Sequence, residues 1–195
     1  GEISEMSLDT VTALSLVPPR QGDGRGDFSC DTVPTLDEAL QLTAGKLFVD
    51  LDVKTNRIDL VVATIQRLNL IDEVFVSVGD FQRALQARMI DPDVRIQIRP
   101  DDAEQFQSML NRLQESFRPP EIVEIPPGEV PRMKDLITNT GAKVFADVFG
   151  LDVTAALLHD LEGYQTLYQQ GAHILQSEFP QLVLEALGRW TPPEN

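Results

Sequence analysis

The sequence predicts an α/β protein built on a parallel sheet. Short runs rich in β-branched and aromatic residues alternate with amphipathic helical patterns along most of the chain. The period is roughly 20 to 30 residues, which suits one strand with its crossover helix. Glycine or a capping residue often marks the end of a helical pattern. Such alternation is typical of βαβ units, whose strands run parallel in one sheet.

The N-terminal part gives weak signals before the first clear helix. Residues 1–34 show little periodicity, and 17–34 are rich in Gly, Pro and Asp, which predicts an exposed loop. Within it, Arg25-Gly26-Asp27 spells an integrin-binding tripeptide, but no other feature of the sequence supports adhesion. The pattern TLDE beginning at Thr35 fits a capping box and predicts a short helix that ends near Gly45.

Six strands and their connecting helices account for the rest of the chain. The predicted strands are 46–54, 73–79, 94–100, 121–127, 143–150 and 173–180. Helical patterns lie at 57–70, 80–89, 101–116, 131–140 and 154–170, and a last helix follows Pro180. No dinucleotide or P-loop glycine signature follows any of these strands, which disfavours a nucleotide-binding sheet.

Polar residues alternate with apolar ones in three of these strands, at 49–54, 95–99 and 122–124. A sheet covered on both faces would be almost continuously apolar. In a (βα)8 barrel, outward residues pack on the helices, whereas inward residues at the C-terminal strand ends line the active site. We therefore predict a TIM-barrel-like fold with its site at the strand ends, formed by Lys54, Arg99, Glu124, Asp147, Ser177 and Glu178.

The strongest site signal is the alternation of Asp50, Asp52 and Lys54. Burial of an unpaired charge costs several kcal/mol, so these groups should pair with one another or bind a metal ion or an anion. The other strand-end groups have a simpler interpretation as solvated loop starts. A lysine at a barrel strand end also fits a Schiff-base enzyme, but such a lysine needs desolvation or cationic neighbours, and Asp52 acts in the opposite direction.

Composition narrows the partners. A formal charge of −15 and a pI near 4.4 argue against nucleic acid and anionic membranes as partners. Cys30 is the only cysteine, which rules out an intrachain disulfide and any CxxC site. No apolar run approaches the roughly 20 residues of a membrane span. We expect one soluble domain over 1–195, in the cytoplasm, the periplasm or outside the cell. From Gly1 in place of Met we expect processing, a tag remnant or a deliberately cut chain.

Several segments resemble the glycerophosphodiester phosphodiesterase family. VPTLDEALQL followed by FVDLDVK is similar to the family's P-T-L-x-E-x-L helix and its strand with an acid-x-Lys pair. The segments 79–98 and 140–150 resemble later strands of the family. The segment 168–187 resembles its closing motif, with Ser177 and Glu178 where Thr and Asp are usual, and 2–14 is similar to its L-T-L-x-E-L segment. The family's His-Arg-Gly, Glu-x-Asp and His-Asp motifs do not occur in the sequence.

The resemblance implies an incomplete (βα)8 barrel that lacks its first two strands, with 1–34 mostly a loop or insertion remnant. It implies metal-dependent hydrolysis of glycerophosphodiesters to glycerol 3-phosphate and an alcohol, in lipid and glycerol metabolism. Asp52, with Asp50 beside it, would hold calcium or magnesium, and Lys54 would be catalytic. Phosphate would be bound by Lys54, Arg99, Glu124, Asp147 and Ser177.

The resemblance also implies that this chain by itself lacks part of the machinery. His159 and His173 are the only histidines, and neither matches a catalytic histidine of the family. We expect the chain alone to be inactive, or alternatively to be a non-catalytic module that keeps an anion pocket at Lys54 and Arg99. Open barrel edges are sticky, so we expect a homo-oligomer or association with a separate N-terminal segment.

Overall fold

The six predicted strands all form, and they lie side by side in chain order. The computed structural model describes residues 2–15 and 32–190. Every neighbouring pair of strands is parallel, and the sheet curls into a half-barrel. The fold is therefore an incomplete TIM-barrel-like α/β fold, as predicted. The strands are β1 (Val49–Asp52), β2 (Val74–Ser77), β3 (Arg95–Ile98), β4 (Ile122–Glu124), β5 (Lys143–Asp147) and β6 (Ile174–Gln176).

Helices fill the connections between the strands. Before β1, helix α2 begins at the predicted capping box, in which Thr35 Oγ1 accepts from Glu38 N at 3.2 Å and Glu38 Oε2 accepts from Thr35 N at 2.8 Å. The helices are α1 (Leu8–Thr12), α2 (Leu36–Thr43), α3 (Ile58–Arg67), α4 (Phe81–Ile90), α5 (Ala103–Gln114), α6 (Val130–Thr138), α7 (Phe149–Leu158), α8 (Glu162–Gln169) and α9 (Pro180–Ala186).

The outer face of the sheet carries the main hydrophobic core. Val76 on β2, Ile96 on β3 and Val144 on β5 are fully buried, and they belong to one cluster with helical side chains such as Val62 and Ile137. Full burial of such a side chain contributes about 1.5–3 kcal/mol. Because strand side chains alternate between faces, this outward apolar set directs the intervening residues toward the barrel interior.

The inner face has an apolar zone and a polar zone. Phe75, Ile122 and Phe145 are buried and form a second, separate apolar cluster with Ile174 against it. Phe48 stacks on Phe75 with ring centroids 5.4 Å apart. Toward the C-terminal strand ends the inner positions become polar, and the register places Asp52 beside Ser77 and Ser77 beside Gln97. The C-terminal end of the half-barrel is therefore the polar end.

The helix predicted over 154–170 is wrong in its bounds, because two helices occupy this region. Helix α7 ends at Leu158, and the next residue, His159, adopts a left-handed φ of 52°. Asp160 Oδ1 then accepts from Glu162 N at 3.1 Å, at the start of α8. The strand predicted over 143–150 is shorter than expected, since Asp147 Oδ1 accepts from Phe149 N at 2.9 Å and α7 begins there.

The N-terminal residues that the structure describes add little to the barrel. A short 3-10 helix at Ile3–Glu5 precedes α1, and Ser15 forms an isolated antiparallel bridge with Thr32. Most of the predicted loop, including Arg25-Gly26-Asp27 and Cys30, lies outside the described residues. Of the helices described, none has the length and apolar character needed to cross a bilayer.

Candidate functional site

Polar side chains from four strands meet at the C-terminal end of the half-barrel. β1 and the residues after it contribute three of them, β2 and β4 one each, and β3 with its following residue two. We call this group the mouth cluster, and its members are Asp50, Asp52, Lys54, Ser77, Gln97, Arg99 and Glu124. It unites five of the predicted site residues with Ser77 and Gln97, which the sequence analysis did not assign to the site.

Lys54 and Asp52 form an ion pair at the solvent-facing side of the cluster. Lys54 Nζ lies 2.5 Å from Asp52 Oδ2, and the two side chains are 77% and 45% exposed. Such an exposed pair contributes about 0–1 kcal/mol to stability. The Lys54 ammonium is therefore only weakly bound to Asp52, and a ligand with a higher negative charge can compete with Asp52 for it.

Arg99 is the most connected side chain of the cluster. Its Nε lies 2.5 Å from Glu124 Oε2, and its Nη2 donates to Ser77 Oγ at 2.7 Å. The same Nη2 lies 3.9 Å from Asp52 Oδ1. One guanidinium from the end of β3 thus reaches the carboxyl ends of β1, β2 and β4, and its planar fork fixes it in one orientation.

Gln97 lies beneath Arg99 and is fully buried. Its Nε2 donates to Ser77 Oγ at 3.1 Å and to Glu124 Oε2 at 2.5 Å. Within the part of the chain that the structure describes, its Oε1 has no hydrogen-bond partner. Buried polar atoms of this kind are almost always hydrogen-bonded in folded proteins.

Asp50 is the group in the cluster whose ionisation is clearly perturbed. Its carboxyl is exposed on the open side of the sheet, yet the surrounding protein displaces enough hydration to raise its pKa to about 6. The charges of Asp52 and Glu124 also raise this pKa, while Arg99 and Lys54 lower it. The pKa of Asp50 therefore depends on all four charged side chains of the cluster.

The described residues do not by themselves fit a divalent metal ion. Calcium takes six to eight oxygen ligands, and magnesium needs a near-octahedral set. Over residues 2–15 and 32–190, no group of three or more His, Cys, Asp or Glu side chains is placed to hold such an ion. Asp50 and Asp52 supply two carboxylates, and Asp52 already faces both Lys54 and Arg99. The calcium or magnesium expected from the sequence stays a prediction.

Asp147 and Ser177 make their hydrogen bonds elsewhere. Asp147 is exposed and accepts from the backbone at the start of α7. Ser177 Oγ donates to Asp152 Oδ1 at 2.6 Å and accepts from Phe179 N at 2.9 Å. Neither hydrogen-bonds to the mouth cluster among the described residues, and both line a separate cavity of 210 Å³ with Asp152. Their predicted part in phosphate binding remains a prediction.

Asp152 is a buried acid that the sequence analysis did not single out. It is 1% exposed and accepts from Tyr164 Oη at 2.6 Å, from Ser177 Oγ and from Glu178 N at 2.7 Å. Burial, and to a smaller extent the hydrogen bond to Asp152, raises the pKa of Tyr164 to about 12. We call Asp152, Tyr164 and Ser177 the Asp152 clasp. The signal for it was the lone acid in the apolar run FGLDVTAALL.

Comparison with known proteins supports the fold. No family model and no curated protein matches the sequence. A glycerophosphoryl diester phosphodiesterase from Parabacteroides distasonis superposes with a TM-score of 0.75 and 20% identity, over 100% of this chain and 67% of that one. A glycerophosphodiester phosphodiesterase from Agrobacterium tumefaciens gives 0.74 and 18%, over 95% of this chain and 74% of that one. At these identities the likeness concerns the fold, and at that level it confirms the resemblance to the glycerophosphodiester phosphodiesterase family.

Proposed function

We propose that the protein hydrolyses glycerophosphodiesters to glycerol 3-phosphate and an alcohol, and that this chain supplies the phosphate-binding side of the site. The observation that carries this proposal is the meeting of Lys54 and Arg99 at the C-terminal end of the half-barrel. That end is where barrels of this type build their active sites. The fold shared with two phosphodiesterases adds to it.

Lys54 and Arg99 have complementary tasks in this proposal. Lys54 carries an exposed, weakly held ammonium that approaches a phosphoryl oxygen as a point charge. Arg99 is oriented in advance by Ser77 and Glu124, so little entropy is lost when its guanidinium meets an anion. Together they offset the negative charge that accumulates on the phosphoryl oxygens during the reaction. This stabilisation is the catalytic role that we propose for Lys54.

Proton transfer needs groups beyond the mouth cluster. The alkoxide that leaves a phosphodiester is a poor leaving group without a proton. His159 Nε2 lies 3.2 Å from Glu185, and His173 Nδ1 accepts from Val144 N at 3.2 Å, so both histidines are engaged away from the mouth. We propose that the acid and base come with the residues that complete the barrel.

A calcium or magnesium ion belongs to the same proposal. Asp50 and Asp52 are the residues of this chain that would hold it, with the remaining oxygen ligands coming from the completing residues. When bound, the ion neutralises phosphate charge and polarises the phosphoryl group. Completion itself would come from a second copy of the chain or from an N-terminal segment, since β1 and β6 each pair with one strand in the described sheet.

A non-catalytic phosphate-binding module is the second candidate. It requires only the two cations of the mouth cluster, Lys54 beside Asp52 and Arg99 beside Glu124, and no general acid or base. It is favoured by the incomplete metal-ligand set in the described part of the chain. In this case the chain binds a phosphate ester through Lys54 and Arg99 without turnover.

Hydrolysis and binding assays separate the two candidates. We expect the chain to bind glycerol 3-phosphate in calorimetry, and Lys54→Gln and Arg99→Gln each to weaken binding roughly tenfold or more, the usual effect of losing a charge-assisted hydrogen bond. Lys143→Gln, at the opposite end of β5, is the matched control and should leave the affinity unchanged. Hydrolysis is measured with the chain extended by an N-terminal segment that completes the barrel, because the chain alone is expected to bind without turnover under both candidates. In the completed form, hydrolysis of glycerophosphocholine that EDTA abolishes supports the enzyme, and binding without hydrolysis supports the module. Absence of binding contradicts each of them.

A further inference from the structure

The cavity between the C-terminal ends of β5 and β6 combines an aromatic ring with several carboxylates. We call it the β5–β6 cavity, and its volume is 210 Å³. Its lining residues are Asp147, Phe149, Asp152, Gln176, Ser177 and Glu178. Phe149 is 55% exposed, whereas Asp152 is 1% exposed. The described lining therefore has a buried acid, exposed acids and an accessible aromatic ring, and it contains no lysine, arginine or histidine.

The three carboxylates of this cavity have no cationic partner in the described part of the chain. There, no basic nitrogen lies within 4.0 Å of a carboxylate oxygen of Asp147, Asp152 or Glu178. Asp152 is the clearest case, because it is almost fully buried and is supported only by hydrogen bonds from two hydroxyls and one backbone N–H. A buried carboxylate without a counter-ion is costly, so the cavity favours a positively charged ligand.

The lining suits an organic cation better than a phosphate or a metal ion. Three carboxylates repel a phosphate, which weighs against the phosphate-binding part expected for Asp147 and Ser177. Among residues 2–15 and 32–190, no three acids are placed to hold a metal ion, and this includes the acids of the cavity. An ammonium group is larger, and it is attracted by surrounding carboxylates and by the face of an aromatic ring such as that of Phe149.

We propose that the β5–β6 cavity binds the cationic amine of the substrate's alcohol, so that the preferred substrates are glycerophosphodiesters of amino alcohols such as choline. The inference rests on the proposed function in taking the mouth cluster as the phosphate site, and it adds the class of alcohol. The formal charge of −15 acts in the same direction. A phosphodiester with an attached ammonium is zwitterionic, so the chain does not repel it as it repels an anion.

The position of the cavity suits this role. Glu124, which pairs with Arg99, lies beside Phe145 of β5, and Asp147 is two residues further along the same face of β5. From the spacing of strands and the rise per residue, the Cα atoms of Glu124 and Asp147 are about 8 Å apart. Side chains reach inward from both sides. A phosphate at Lys54 and Arg99 and an ammonium in the cavity can therefore belong to one small molecule.

The first test is titration of choline chloride into the chain in EDTA, followed by amide chemical shifts in NMR. Choline carries no phosphate and so tests the cavity alone. We expect binding in the millimolar range, with shifts at the amides of Phe149 and Glu178. We expect no binding of 3,3-dimethylbutan-1-ol, which has the shape of choline without its charge. Absence of these shifts with choline, or equal binding of the neutral alcohol, would overturn the proposal.

Two variants with substitutions at exposed positions locate the binding. Glu178→Gln should weaken choline binding roughly fivefold, the effect of losing one charge about 4 Å from an ammonium in water. Phe149→Leu should weaken it roughly threefold through loss of the aromatic face. Asp135→Asn removes one exposed charge on α6 and is the matched control, with no change expected. Equal weakening by Asp135→Asn would reduce the effect to net charge and refute a local site.

The second test compares two phosphodiesters that differ only in the charge of the alcohol. Calorimetry in EDTA measures glycerophosphocholine against its 3,3-dimethylbutyl analogue. We expect glycerophosphocholine to bind roughly tenfold more tightly, the combined effect of a carboxylate and an aromatic face, and Glu178→Gln to reduce this ratio. Equal affinities would overturn the proposal.

The outcome is separable from that of the proposed function. Failure of glycerol 3-phosphate binding contradicts the phosphate site but leaves the choline titration intact. Failure of the choline titration leaves the phosphate site intact.

Discussion

The ionisation of Asp50 should be visible in the stability of the chain. Its folded pKa is raised from 3.8 to about 6, mainly because the fold removes hydration. Between these values the folded state holds a proton that the unfolded state has released, so the free energy of unfolding falls as pH rises from about 4 to above 6. The ionised carboxylate is thus destabilising at neutral pH.

Asp50→Asn should therefore stabilise the chain more at pH 7.5 than at pH 5. Solvent screening at this exposed position reduces the effect, so we expect an increase in Tm of about 2 °C at pH 7.5 for a chain of this size. Thermal melts at both pH values measure it. Asp135→Asn removes one charge at a site with 84% side-chain exposure and should show no such pH dependence. A larger gain at pH 5 than at pH 7.5 would mean that the sign is wrong.

At the residue scale, the sequence predicted positions better than partners. The alternation of Asp50, Asp52 and Lys54 was enough to put the three on one face, because strand geometry has a period of two. The contacts of Arg99 with Ser77 and Glu124 depend on the register among β2, β3 and β4, which no local sequence pattern reveals. These partners could be found only in the folded sheet.

At the scale of elements, the Asp152 clasp joins three parts of the C-terminal half. Asp152 lies on α7, Tyr164 on α8 and Ser177 directly after β6. Tyr164 Oη and Ser177 Oγ each lie 2.6 Å from Asp152 Oδ1, and Asp152 is almost inaccessible to solvent. A buried carboxylate that accepts this many hydrogen bonds holds its neighbours in place, since each donor would be costly to leave unpaired.

Asp152→Ala should destabilise the chain by about 3 kcal/mol, because it leaves two hydroxyls and a backbone N–H without an acceptor. This corresponds to a decrease of about 6–12 °C in Tm for a protein of this size. Tyr164→Phe removes a single hydrogen bond and should cost about 1 kcal/mol. Urea denaturation measures both. A loss no larger for Asp152→Ala than for Tyr164→Phe would contradict the shared role of the carboxylate.

Ser177→Ala is the informative third variant of the clasp. If Ser177 serves the clasp alone, its substitution lowers stability by about 1 kcal/mol and leaves the affinity for glycerol 3-phosphate unchanged. The phosphate-binding role expected from the sequence requires the affinity to fall as well. The same pair of measurements on one variant therefore decides between these roles.

The boundaries of elements show where sequence patterns lose information. Apolar periodicity located all six strands, because the core on the outer face demands it. The division between α7 and α8 was missed, since His159 in a left-handed conformation leaves no glycine or proline in the sequence to mark it. The early start of α7 was missed too, because its apolar residues continue the pattern of β5.

At the scale of the whole molecule, the half-barrel leaves apolar surface at its open side. Phe48 is 53% exposed although it stacks on Phe75 of the inner cluster, and Arg95 lies 5.8 Å above its ring. The edge strands β1 and β6 each have one partner in the described sheet. Unpaired edges and exposed aromatic rings favour association, while a formal charge of −15 opposes it.

These opposing terms make the predicted association dependent on salt. We expect light scattering to show self-association at micromolar concentration, and stronger association at 500 mM than at 50 mM salt. At 500 mM salt the Debye length falls to roughly 4 Å, so the repulsion between the negatively charged chains is screened. Phe48→Glu should weaken association roughly tenfold or more, because it places a charge in the apolar contact. Leu157→Glu is the matched control, since Leu157 is 77% exposed on the outer helix α7. A monomer at both salt concentrations would exclude association, and weakening by Leu157→Glu alone would move the interface from the open barrel to the helix layer.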